Sequence, residues 1–199
     1  RAALLVTTYV AARQGDVALA AHQVVATVWT FLAFALDAVA IAGQAITGRA
    51  LGAGDAAGAR AATTRMLQWG VGSGVVLGAG LLAASPWVGQ LFTPDAGVQA
   101  AVAAALVVAA LAQPLAGWVF VLDGVLIGAG DGRYLAVAGL LTLAAYVPFA
   151  LAVLALAPGG RAGLVWLWVA FGAGFMAARG VTLGLRARGD AWLVTGASR

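Results

Sequence analysis

The 199-residue chain has no cysteine, lysine, glutamate or asparagine, and a single histidine, His22. Without cysteine there are no disulfides and no thiolate metal sites, and one histidine without Cys or Glu cannot furnish a His/Cys metal cluster. No metal or other cofactor is expected. Charge is scarce as well: charged residues are 9% of the chain, where a soluble domain of ordinary composition carries about 25%. So few charges cannot cover a folded surface, and most of that surface must face lipid. Hydrophobic residues make up 63% of the chain and mean hydropathy is +1.00. All eleven cations are arginine and all seven anions aspartate. With so much alanine and glycine, this resembles GC-rich coding bias and has no direct functional content. The formal net charge of +4 comes from arginines scattered at segment ends. That pattern fits loops that orient a membrane protein better than a nucleic-acid surface, and no nucleic-acid partner is expected.

What the chain does contain is a series of apolar runs separated by short polar punctuation. The first, residues 1–12, is too short for a bilayer that needs about 20 residues. It follows no signal-peptide pattern, and the chain opens on arginine, so it reads as part of a helix cut through. The complete spans are expected at residues 17–50, 66–92, 98–129, 134–156 and 164–185, with residues 193–199 as a cytoplasmic tail. Runs longer than about 20 residues without period-two alternation favour helices over barrel strands. The fold class is therefore all-α, a polytopic transmembrane bundle. Pro114 and Pro148 fall inside runs and predict kinks that neighbouring helices make tolerable. Gly70, Gly74 and Gly78 form a small-residue stripe, as do Gly180 and Gly184; both suit close helix packing.

Arginine placement predicts the orientation. Arg49, Arg60, Arg65, Arg133, Arg186, Arg188 and Arg199 share one side of this topology, and Arg13 and Arg161 the other. Arg1 and Arg179 are undecided. The positive-inside rule then puts the C-terminus in the cytoplasm and the loop containing Asp95 outside.

Two aspartates lie inside apolar runs and open near-matching strings, D-A-V-A-I-A-G at Asp37 and D-G-V-L-I-G-A at Asp123. A carboxylate at bilayer depth costs about 2.5–3.5 kcal/mol on insertion scales, so it ordinarily faces a protein interior or a wet cavity. At about 1.5 Å per residue, Asp37 lies about 27 Å from Leu19 and about 22 Å from Gly52, whereas Asp123 is only about 9 Å from Ala129. The two sites are therefore expected to differ in depth, with Asp37 the stronger candidate for a buried titrating carboxylate. Such a group can take up and release protons or attract a cationic substrate or Na⁺. Either event shifts an equilibrium between inward-open and outward-open states. A carboxylate held by an arginine to fix helix packing produces the same pattern. Thr30 and Gln44 lie seven residues either side of Asp37 on the same helix face and extend a polar lining; hydrogen bonding between helices also fits them.

His22 and Gln23 stand at the outer end of the second span, where they are candidates for pH sensing or gating, or for capping a helix. Arg179, inside the last span, either snorkels to the interface or pairs with an aspartate such as Asp123. Trp166, Trp168 and Trp192 read as interfacial anchors, and Trp29 and Trp118 as deeper packing or cavity residues. No base, nucleophile and oxyanion set is visible, so the chain is not expected to be an enzyme.

Longer strings carry a resemblance. L-A-A-H-Q at residues 19–23, A-L-D-A-V-A-I-A-G-Q-A-I-T-G-R-A-L-G-A-G-D at residues 35–55, V-L-D-G-V-L-I-G-A-G-D at residues 121–131 and A-R-G-V-T-L-G-L-R at residues 178–186 are similar to the multidrug and toxic compound extrusion (MATE) family, in its DinF-like branch. The resemblance covers nearly the whole chain. It implies two six-helix lobes around a central cavity, this chain corresponding to the second lobe with its first helix truncated. It also implies antiport of organic, often cationic, compounds against H⁺ or Na⁺ across a bacterial-type cell membrane. The partners would then be a small-molecule substrate, the coupling ion, the bilayer and the N-terminal lobe. The family's best-supported coupling aspartate belongs to that first lobe, so its role does not transfer to Asp37 or Asp123. The string G-R-A-L-G-A-G-D at residues 48–55 matches a turn and helix stop.

Two other readings stay open. A lipid-linked oligosaccharide flippase of related fold would want a cationic cavity, whereas the midplane charge here is acidic. A half-transporter or non-transporting remnant is the other. Half a bundle would expose its cavity face, Asp37 included, to lipid, and is expected to be unstable alone unless it dimerises.

Overall fold

The computed structural model describes residues 2–196; Arg1, Arg199 and the end of the tail lie outside the described residues. Seven α-helices follow one another: α1 (Ala2–Arg13), α2 (Asp16–Gly52), α3 (Ala56–Val88), α4 (Ala96–Gly128), α5 (Gly132–Leu156), α6 (Gly160–Ala170) and α7 (Ala177–Arg188). A 3₁₀ turn, Gly89–Leu91, extends α3, and a π-helical segment, Phe171–Met176, joins α6 to α7 without a break. Five stretches are long and apolar enough to cross a membrane: α2, α3 with its 3₁₀ turn, α4, α5, and α6 through α7. No strand occurs among the described residues. The third helix starts at Ala56 rather than near residue 66. Hydropathy misses its first turns because Arg60, Thr63, Thr64 and Arg65 are polar, although they remain helical.

Both A-G-D strings end a helix in the same way. Gly54 and Gly130 adopt positive φ (80° and 74°), which costs glycine nothing. Asp55 N–H donates to Ala50 O and Asp131 N–H to Leu126 O, while the preceding glycine N–H bonds Leu51 O or Ile127 O. This is the Schellman arrangement, which satisfies the last carbonyls of α2 and α4. The string G-R-A-L-G-A-G-D is thus helix as far as Gly52 and turns only at Gly54. Asp55 then caps α3 by accepting from Gly58 N–H (2.7 Å), and Asp95 caps α4 through Val98 N–H (2.8 Å).

The bundle is organised around α4, the most buried of the crossing helices. Lipid tails are as apolar as leucine, so helices in a bilayer associate by close packing rather than by a hydrophobic drive. Glycines supply the closeness. A methyl group on Gly117 would lie 2.0 Å from Gly70 O, one on Gly74 2.3 Å from Gln113 O, and one on Gly78 2.6 Å from Ala110 O. Ala110 O is the carbonyl that Pro114 leaves without its i+4 donor, and α3 covers it. The Gly70–Gly74–Gly78 stripe is therefore an internal seam between antiparallel α3 and α4. On the other side of α4, methyls on Gly124 and Gly128 would meet Ala40 O at 2.2 Å and Gln44 O at 2.3 Å. Helices α2 and α4 thus run parallel in close contact.

Two of the expected interfacial tryptophans are not anchors. Trp168 and Trp192 are each 1% exposed, whereas Trp166 is 56% exposed. Residues two apart on a helix point about 200° apart, so Trp166 and Trp168 cannot both face lipid. Trp192 is buried because the chain after α7 folds back: its Nε1–H donates to Ala187 O (3.2 Å), and Gly196 N–H reaches Leu51 O (3.3 Å).

The seam makes a direct prediction. Gly117→Ala should cost about 1–3 kcal/mol through overpacking, whereas Gly72→Ala, which has nothing within 4 Å, should change stability by less than about 0.5 kcal/mol. Thermal unfolding of the detergent-solubilised protein checks both, and equal behaviour of the two variants would contradict the seam.

Candidate functional site

Thr30, Asp37 and Gln44 of α2 share one face, as their spacing predicts, with Gln23 and Thr27 near it, and that face is left unpacked. Leu36, Ala40, Gly43 and Thr47 are buried against the bundle, whereas Gln23, Thr27, Thr30 and Gln44 are exposed and Asp37 is half-buried. Phe31 and Phe34 stand among them, and with Gln23, Thr27 and Thr30 they form a shallow groove. Thr27 and Thr30 satisfy their hydroxyls within α2, donating to Gln23 O and Ala26 O at 2.8 Å each. They do not bond across to another helix. Asp37 and Gln44 have no side-chain hydrogen bond among the described residues. An unpartnered carboxylate therefore sits well inside a crossing helix, on the side that the bundle does not cover.

Asp123 has the opposite setting. It lines an open-sided chamber of about 500 Å³ formed by residues of α1, α2, α4, α5, α7 and the π segment. Arg179 donates to both of its carboxylate oxygens, Nη2 to Oδ1 at 2.5 Å and Nε to Oδ2 at 3.4 Å. Arg179 Nη1 also donates to Leu135 O at 3.3 Å. The two side chains are 30% and 15% exposed. Of the two placements open to Arg179, the structure selects pairing. A planar guanidinium meets a carboxylate in a two-pronged geometry that a lysine could not reproduce.

The two aspartates lie at the same level, contrary to the depth expected from helix ends. Ala40 packs on Gly124 and Gln44 on Gly128. Asp37 is three residues before Ala40 and Asp123 one before Gly124, so they differ by two residues, about 3 Å along parallel helices. Distance from a helix end misleads because α2 runs about two turns beyond the level where α4 stops. The pair flanks the α2–α4 contact, Asp123 toward the chamber and Asp37 toward the unpacked face.

His22 and Gln23 separate. Gln23 lies on the exposed face, but His22 is fully buried and caps nothing. Thr8 Oγ1 donates to Leu4 O (2.9 Å), which leaves its lone pairs to accept from His22 Nε2–H (3.0 Å). The ring packs against Trp168 with centroids 5.8 Å apart. Adjacent Thr7 works in the same way, donating to Ala3 O (2.7 Å) and pairing with Tyr146 Oη (2.7 Å). His22 thus ties short α1 to α2, and Tyr146 ties it to α5; the helix cap expected of His22 is replaced by this interhelical bond.

Of the chamber's aromatic wall, the sequence marks Trp29 but not Phe171 and Phe175. Phe171 and Phe175 stack at 5.3 Å, and Trp29 meets Phe171 edge-on at 5.4 Å. The π segment brings them together, and such bulges concentrate at functional sites. The available signal was F-G-A-G-F inside a membrane helix, two glycines between phenylalanines. Trp29 lines this chamber, and Trp118 instead lies under Gly180 and Gly184, where a methyl on Gly184 would come within 2.5 Å of its ring. Among the described residues no three His, Cys, Asp or Glu side chains converge on a metal position.

Fold and site together define a multi-pass helical membrane protein with polar groups built into its crossing helices. The chain belongs to the MatE family, whose match extends over residues 2–156. It is similar to Protein DETOXIFICATION 45, chloroplastic, of Arabidopsis thaliana, at 34% identity over 133 residues, 67% of this chain and 24% of the relative. Protein DETOXIFICATION 42 of the same plant is 38% identical over 126 residues, 63% of this chain and 24% of the relative. The aligned region thus spans about a quarter of the length of these curated relatives. No solved structure matches the chain significantly.

If Asp123 and Arg179 act as a pair, their single substitutions will not add. Asp123→Asn, Arg179→Gln and the double variant, compared by thermal unfolding, should give a coupling energy of about 0.5–3 kcal/mol. Simple additivity would mean that the contact contributes nothing.

Proposed function

We propose that this chain is the second lobe of a secondary active antiporter that exports organic, often cationic, compounds in exchange for H⁺ or Na⁺. The carrying observation is Asp37, unpartnered within a crossing helix and turned to the open face beside Gln44 and Thr30. Lipid is an untenable neighbour for such a group, so this face belongs against a wet cavity shared with another helical unit. An N-terminal lobe of the same transporter is the natural second wall. Phe31 and Phe34 on that face, 72% and 68% exposed, supply flat apolar surface for an organic substrate, and the carboxylate supplies attraction for a cation. Family membership supports efflux, as does the word detoxification in the relatives' names. The strings around Asp37 and Asp123 support the DinF-like branch.

In this reading Asp37 binds either the coupling ion or the cationic substrate, and each occupant favours a different access state. The chain is a carrier and not an enzyme. Arg49, Arg60, Arg65, Arg133, Arg186 and Arg188 gather at the end where α2, α4 and α7 finish, with Arg13 and Arg161 at the other. That asymmetry supports a cytoplasmic C-terminus in a bacterial-type cell membrane. Asp37→Asn in the complete transporter should lower export of a cationic dye by about tenfold or more at unchanged expression, a typical scale for coupling between sites. Export at the parental rate would remove Asp37 from the mechanism.

A further inference from the structure

Two cavities at the arginine-rich end of the bundle share a wall. One, of about 200 Å³, lies between α3 and α7 and carries Arg60, Thr63, Thr64 and Arg188 above buried Trp192. The other, of about 290 Å³, runs along α7 over Leu115, Gly180, Val181 and Leu185, and apart from Arg188 its lining is apolar. Trp118, Gly184 and Arg188 line both. The two lie side by side, the first polar and the second apolar, and Arg188 reaches both.

The groove exists because α7 has glycine where it crosses α4. Gly180 and Gly184 let the Trp118 ring lie against the helix backbone, leaving a smooth floor with Val181 and Leu185 along its side. From Arg188 to Ala177 the groove covers eleven residues, about 16 Å. That is about half of the ~30 Å hydrocarbon core, the depth of one leaflet.

The mouth is basic and incompletely paired. Arg188 is exposed and makes no ion pair or side-chain hydrogen bond among the described residues. Arg60 spends only Nη2, on Asp190 and on Gly189 O, so its Nε and Nη1 are available. Thr63 and Thr64 donate to carbonyls of their own helix, Ala59 O and Arg60 O, which leaves Arg188, and the Nε and Nη1 of Asp190-paired Arg60, as the available donors. A basic pocket between helices at the membrane surface fits a lipid phosphate, and guanidinium favours it over other anions of similar size.

We propose that this site seats one anionic phospholipid, its phosphate between Arg60 and Arg188 and one acyl chain along the α7 groove over Trp118. The occupant follows from the charge at the mouth, the apolar groove that meets it at Arg188, and the groove's one-leaflet depth. A soluble anion would use the mouth alone, and a zwitterionic lipid would lack the net negative charge that unpaired Arg188 selects. The site lies on a surface away from Asp37 and does not depend on the transport reading.

The test is native mass spectrometry of the full chain released from nanodiscs of phosphatidylcholine and phosphatidylglycerol. Expected is one retained phosphatidylglycerol, bound about fivefold more tightly than phosphatidylcholine and weakened about fivefold by Arg188→Gln, the scale of one arginine at a membrane surface. Because Arg188 is exposed and unpaired, this change leaves the packing intact. Val181→Trp, at a position 61% exposed, should fill the groove and weaken retention of both lipids while helicity is preserved. Equal retention of the two lipids, or retention unchanged by Arg188→Gln, would overturn the proposal. So would displacement of phosphatidylglycerol by millimolar inorganic phosphate alone, which would make the mouth an anion site without a lipid.

Discussion

Close backbone contact of α4 with α2 on one side and α3 on the other is the constraint from which the rest follows. In a bilayer nothing pushes apolar helices together except packing itself, so a contact is stable where the backbones can touch. Gly117 against Gly70, Gly124 against Ala40 and Gly128 against Gln44 meet that condition. Once α2 is locked to α4 through Ala40 and Gln44, its rotation is fixed. Leu36, Gly43 and Thr47 then turn inward, and Thr30, Phe34 and Asp37 are carried round to the open side. The polar face of α2 is thus positioned by glycines on a different helix.

A second constraint is that polar groups in lipid must find partners inside the protein. The hydroxyls obey it locally: Thr7, Thr8, Thr27, Thr30, Thr63 and Thr142 each donate to the carbonyl four residues earlier. The ionised groups obey it over distance, with Arg179 spanning from α7 to Asp123 on α4 and Arg186 reaching Asp131 in the α4–α5 turn at 2.6 Å. Tyr134 stacks under that second arginine at 4.8 Å. Asp37 and Gln44 stand outside this rule, and they stand together. Single atoms of Gln113, His22 and Trp168 also lack a partner in the interior, but Asp37 is an unpaired carboxylate on a face that the bundle does not cover, and such a group points to function rather than to loose packing.

Much of this was legible in the sequence because hydropathy and periodicity report a bilayer directly. Five crossing helices and the shared face of Thr30, Asp37 and Gln44 follow from run length and spacing, and the turn at residues 48–55 from the resemblance; the matching turn at Gly130 was missed. What spacing does not carry is the relative slide of two helices. The depth of Asp123 was misjudged because it was measured from the end of α4, whereas contact with α2 sets its level. The burial of His22 depends on Thr8 in α1, and that of Trp192 on a chain reversal after α7; neither neighbour is close in the sequence pattern. The π segment was equally hidden, since Phe171 and Phe175 look like ordinary apolar residues until an extra residue per turn stacks them.

The two matching aspartate strings therefore serve opposite sides of one helix contact, and their pairing separates the roles they can take. Protonating Asp123 would leave the mostly buried Arg179 guanidinium without its counter-charge, held only by Leu135 O, and an uncompensated buried charge is costly. Protonating Asp37 strands nothing, because nothing is bonded to it. A carboxylate whose charge must alternate during a transport cycle is best placed where each state is tolerated. On the proposed function this assigns the alternating role to Asp37. Asp123 becomes part of the fixed frame, tying α4 to α7 and, through Leu135 O, to α5. The frame holds the chamber, the α2–α4 contact holds Asp37 at the frame's level, and the open face is free to meet the second wall of the cavity.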